Sequence, residues 1–96
     1  MRSHMEQLQT YIEATKAVMP VEELSEVEHY YDHNEPEMAF EGLVIELMHA
    51  GKYPEGFNYE EWKELALHYG LHSESVFRSN FWTEFQTWGE AFKPST

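Results

Sequence analysis

His29 and His33, four residues apart with Asp32 between them, come closest in this chain to a reactive set. Residues at i and i+4 share a helix face. Two imidazoles and a carboxylate suit Zn or another divalent cation. The set lacks the glutamate and spacing of the H-E-x-x-H hydrolases, and a third ligand would have to come from elsewhere, with Glu35 the candidate. The simpler reading is a solvated helix end. His68 and His72 repeat the spacing, but Gly70 breaks the helix between them. His68 and His49 read instead as cations near helix C-termini. The adjacent acids Glu22/Glu23 and Glu60/Glu61 point to different sides of their helices. Ser75 and Ser79 have no base at a useful spacing, no glycine loop is built to cradle phosphate, and there is no cysteine for thiolate chemistry. Neither an enzyme nor a cofactor is expected.

Charge is the stronger signal. Six basic and eighteen acidic residues give a net charge of −12. That argues against nucleic acid and anionic membrane as partners and weakly for a basic protein. The acids are also unevenly placed. Between Lys16 and Lys52 there is no Lys or Arg, while Glu22, Glu23, Glu26, Glu28, Asp32, Glu35, Glu37, Glu41 and Glu46 fall in that interval. Folding must bring these like charges together, which solubility alone does not require. Tyr30 and Tyr31 lie inside the same stretch, and a tyrosine beside acids makes a rigid interface anchor. Tyr31 is expected to pack inward and Tyr30 to lie on the rim. The candidate partner-binding residues are therefore Glu22, Glu23, Glu26, Tyr30, Asp32, Glu35 and Glu37.

These residues need elements to hold them. The most apolar run, 34–51, reads as a central helix. Its interior polar residues Glu41, Glu46 and His49 fall within an arc of ~140°, so other elements must cover it on several sides. Asn34 and Glu37 make an N-x-x-E cap, Pro36 suits the first turn, and Gly51 suits a left-handed exit. Before it, 6–18 reads as a helix with Leu8, Tyr11, Ile12, Thr15 and Val18 inward. A second helix spans 21–32, opened by Pro20, with Val21, Leu24, Val27 and Tyr31 inward. After it, Asn58 and Glu61 cap a helix over 58–69 that buries Trp62, Leu65, Ala66 and Tyr69 and stops at Gly70. Ser73 is expected to cap a last helix to about Ala91. Its aromatic stripe is Val76, Phe77, Phe81, Phe85, Trp88 and Phe92, with Trp82 to one side.

The sum is a compact all-α bundle of about five helices in a single domain over 5–93. Met1-Arg2-Ser3-His4 reads as a cloning remnant and 94–96 as a frayed tail. A composition 42% hydrophobic and 16% aromatic is enough for a core in 96 residues. No run approaches the ~18 apolar residues of a transmembrane helix. A cytoplasmic protein, monomeric or weakly dimeric when free, is expected.

One stretch resembles a known family. Asp32-His33-Asn34-Glu35 leads into Glu37-Met38-Ala39-Phe40-Glu41-Gly42-Leu43 and Glu46-Leu47. Asn58-Tyr59-Glu60-Glu61-Trp62 follows, then Leu65-Ala66-Leu67-His68-Tyr69-Gly70-Leu71. The pattern H-x-E-x-x-x-A-x-E-x-L, an acid-paired helix start and a leucine–alanine run closing at Gly-Leu resemble small helical immunity proteins of bacterial toxin systems. These are of the MafI-like and contact-dependent growth inhibition kind. The match covers about 32–71; the aromatic tail, 77–92, has no counterpart. The resemblance implies a protein that binds and neutralises a cognate secreted toxin, often a nuclease, without chemistry of its own. A nuclease carries a cationic surface for phosphates, so an acidic inhibitor would be steered to it. Two alternatives remain open: a generic acidic helical interaction domain, and a small metal-binding protein using His29, Asp32 and His33.

Overall fold

The structure, a computed structural model, describes residues 3–92. Five α-helices and one 3-10 turn follow each other, with no strand among the described residues. They are α1 (His4–Lys16), the 3-10 turn (Val21–Leu24), α2 (Ser25–Asp32), α3 (Pro36–Ala50), α4 (Tyr59–His68) and α5 (Phe81–Glu90). The chain is an all-α domain, as its periodicities suggest.

The central helix is α3. Ala39, Phe40, Leu43, Val44 and Leu47 are fully buried on it, and α1, α2, the 3-10 turn and α5 all pack against it. Gly51 takes the left-handed conformation (φ 66°), and Lys52 N donates to Leu47 O at 3.1 Å to finish the helix. The N-terminal cap differs from expectation. Asn34 is itself left-handed (φ 59°) and closes α2 instead: Asn34 N donates to Tyr31 O and Glu35 N to Tyr30 O. This is a Schellman end to one helix, and it removes Asn34 from capping the next. Glu35 takes the cap position with no side-chain bond.

Helix α1 starts earlier than its apolar spacing suggests. Ser3 Oγ accepts from Glu6 N at 3.1 Å and Glu6 Oε1 accepts from Ser3 N at 3.3 Å, so Ser3 and His4 open the helix. Leu8, Tyr11, Ile12 and Thr15 are buried as expected. The segment 21–32 splits: its first turn winds as 3-10, which leaves Val21 54% exposed while Leu24 and Val27 go inward. Helix α4 follows its capping signals. Asn58 Oδ1 accepts from Glu61 N at 3.2 Å, and left-handed Gly70 lets Leu71 N reach Ala66 O at 3.1 Å. Trp62, Leu65 and Ala66 are buried on its inner face.

Large rings join the helices. Trp62 stacks on Tyr11 with centroids 4.4 Å apart and also meets Phe40, Phe57 and Trp88. Tyr53, in the loop before α4, stacks on Trp88 at 4.8 Å, and its hydroxyl donates to Trp88 O at 2.6 Å. The loop is thereby fastened to the end of α5.

The last helix is the main correction. It begins at Phe81, not Ser73, and residues 72–80 are irregular. Phe81 and Phe85 are buried as the stripe predicts, but Val76 and Phe77 are 41% and 46% exposed. The cause lies in α3. Glu41, placed by sequence on the polar arc, is fully buried, and its carboxyl takes three backbone bonds from the segment. Val76 N donates to Oε1 at 2.6 Å; Phe77 N and Arg78 N donate to Oε2 at 2.8 and 3.1 Å. Those amides are committed to a side chain, so the segment does not wind into helix. Ser75 Oγ donates to Arg78 O and Ser73 Oγ to Gly70 O, the local competition that serines offer to helix.

Candidate functional site

The Glu41 bonds shape a surface feature. They hold residues 76–78 beside α2 and α3, and the space enclosed is a cleft of about 460 Å³. One wall is the 3-10 turn and α2, with Glu22, Glu23, Ser25, Glu26 and Tyr30. The floor is Val27, Gly42 and Ile45, with Glu46 at one side, and Phe77 and Arg78 close the other wall. At Gly42 α2 and α3 meet: a Cβ on it would lie 3.5 Å from Val27 Cγ2, an ordinary contact. A second hollow of about 260 Å³ shares Glu23 and Glu46 and runs toward Met19, His49 and Lys52.

Four of the seven candidate residues, Glu22, Glu23, Glu26 and Tyr30, come together here. The three glutamates are exposed, and Tyr30 is half-buried, its ring 5.8 Å from that of Phe77. Tyr31 turns the other way, and its hydroxyl donates to Met5 O at 3.2 Å. Asp32, Glu35 and Glu37 do not line the cleft. Asp32 stands at the far end of α2, six residues or roughly 9 Å beyond Glu26. Glu35 and Glu37 flank the start of α3, where Glu37 lies near enough to Tyr69 to help raise its pKa.

The base-free interval therefore does not form one flank. Glu41 is interior, and Glu28 pairs with Lys16 at 3.3 Å. Lys16 also binds Glu13 at 2.9 Å; that hydrogen bond, with Glu28 adding to it, raises the lysine's pKa. The remaining ion pair among the described residues is Arg78–Glu84 at 2.9 Å. Glu22, Glu23, Glu26 and Glu46 have no Lys or Arg partner among the described residues. Lys52 donates to Val18 O at 2.8 Å.

The histidine cluster takes a different form from a ligand set. His33 Nδ1 is 2.8 Å from His29 O, and the two rings lie 4.2 Å apart against each other. No group of three or more His, Cys, Asp or Glu among the described residues is arranged to hold a metal ion. His68 stacks on His4 at 3.5 Å. His49 Nε2 is 3.3 Å from Arg78 Nη2, and because a guanidinium only donates, that nitrogen accepts. No helix among the described residues is long and apolar enough to cross a membrane.

Sequence reasoning missed Gly42, Ile45, Glu46, Phe77 and Arg78 as cleft residues and Glu41 as the anchor. A partial signal for Glu41 exists: three of its four helix neighbours at i±3 and i±4, Met38, Val44 and Ile45, are apolar, and the fourth is Glu37. Comparison with protein-family models, curated proteins and solved structures yields no match.

Proposed function

We propose that this protein is an immunity protein: it binds a cognate cationic toxin, a nuclease domain, and neutralises it by occlusion without catalysing a reaction. The observation that carries this reading is the cleft whose rim holds Glu22, Glu23, Glu26 and Glu46 with no basic partner among the described residues, beside the aromatic rings of Tyr30 and Phe77. Folding gathers four acids at this place and, among the described residues, forms no ion pair with them, which favours encounter with a positive surface. The resemblance of 32–71 to helical immunity proteins points the same way. The compartment that fits is the cytoplasm of the toxin-producing cell.

The test is binding to the product of the gene adjacent to this protein's own. Reversing Glu22, Glu23 and Glu26 to Lys should leave the helical spectrum intact and weaken binding at least about tenfold, mostly through the association rate. A triple variant that binds and protects like the parent at both low and high salt would refute the assignment.

A further inference from the structure

We infer that the cleft is a receptor for a single arginine side chain of the partner, with the Glu41-held segment as one of its walls. This rests on the reading that the partner is a cationic protein and names the group recognised. Three features of the cleft match three parts of an arginine. The rim carboxylates Glu22, Glu23 and Glu26 are exposed and have no Lys or Arg partner among the described residues, and a guanidinium donates in a planar fork that fits a carboxylate. Phe77 is 46% exposed and lies against Tyr30, giving the flat π-surface on which a guanidinium stacks. The floor of Val27, Gly42 and Ile45 is apolar and suits the methylene stem. A lysine would use the carboxylates, but its ammonium neither forks nor stacks as a plane.

The protein's own Arg78 does not fill this role. Its guanidinium is drawn to Glu84 at 2.9 Å and to His49, and forms no ion pair with the rim acids. Phe77 faces the cleft because its amide is tied to Glu41, and in the continuous helix that the sequence suggests it would have turned inward with Phe81 and Phe85. An exposed aromatic held by a buried carboxyl is an arrangement that core packing does not require.

The probe is L-argininamide with its α-amine acetylated, titrated into the whole protein and followed by amide NMR shifts, with the equally acetylated citrullinamide as its uncharged isostere and acetylated lysinamide as the ammonium comparison. Expected is saturable binding that perturbs residues 76–78, Tyr30 and Gly42, tighter for argininamide than for lysinamide and undetectable for citrullinamide. Phe77→Ala should weaken it about 2–5-fold, and Glu22→Gln/Glu23→Gln/Glu26→Gln should abolish it. Both act at exposed positions, and the spectra report whether the fold is kept. Glu64→Gln, on the exposed face of α4, serves as the control and should change nothing. Shifts spread over all acidic surfaces without saturation, equal response to citrullinamide, or indifference to Phe77→Ala would each overturn the inference. Toxin binding is a separate readout. If the toxin is held in a charge-dependent way while argininamide misses the cleft, the inference falls and the proposed function stands. If argininamide saturates the cleft but the toxin is ignored, the proposed function falls and the guanidinium site stands.

Discussion

Gly89 sits inside α5, where a glycine ordinarily weakens a helix by about 1 kcal/mol relative to alanine. Sequence alone suggests that it merely loosens the helix end. In the fold it lies against the ring of Tyr59, and an added Cβ would come within 2.1 Å of Tyr59 Cδ1. Steric overlap therefore outweighs helix propensity. Gly89→Ala is expected to lower stability by about 1–3 kcal/mol in urea denaturation, and a Tyr59→Ala background should remove most of that extra cost. Tyr69 illustrates a different economy of contacts. Its hydroxyl is buried without a hydrogen-bond partner among the described residues. Burial, helped by Glu37 and Tyr31, pushes its pKa from 10.0 up to about 12. Because the folded value is the higher one, the stability contributed by the neutral phenol is complete below about pH 10 and is lost as the pH climbs toward 12. Burial shifts Tyr53 and Tyr59 the same way. Tyr69→Phe should be neutral or more stable by up to about 1 kcal/mol at pH 7. Its stability should also decline less steeply over that alkaline interval.

At the scale of elements, the helices that carry their own start and stop residues were legible. Asn58, Gly70 and Gly51 each act as their types predict. The failures have two causes: a neighbouring helix end that competes for a cap residue, and a backbone group whose partner is distant in the chain. Asn34 looks like an N-cap until the end of α2 claims it. Residues 73–80 look helical by their aromatic spacing until Glu41, more than thirty residues earlier, takes their amides. Local periodicity carries no information about such a bond. Glu41→Gln, which offers one acceptor oxygen in place of two, should cost about 1.5–3 kcal/mol. Hydrogen exchange should then speed up at the amides of Val76, Phe77 and Arg78 before it changes in α1 or α4. Uniform acceleration across all helices would mean that Glu41 supports the core at large and not this segment.

For the molecule as a whole, composition gave the class and the sign of the charge, but not its layout. The acids of the base-free interval divide among the interior, an ion pair, the cleft and the α2–α3 turn, and only the cleft group joins Tyr30. Four of the seven candidate site residues were found because they are neighbours along the chain. Phe77 and Arg78 were missed because they arrive from across the fold. A net charge of −12 on so small a body repels itself. Raising NaCl from low to near-physiological concentration should therefore raise the thermal midpoint of the free protein, while slowing its association with a cationic partner, since screening acts on both. A midpoint that falls with added salt would show that attractive pairs dominate the fold.

The contact between Gly89 and Tyr59 also sets a rule for descent. In any chain sharing this architecture, a lineage that acquires a side chain at the first position has to shrink the ring at the second, or part α4 from α5. The two sites are thus bound to mutate in concert, and such paired change would identify distant kin that overall likeness fails to reveal.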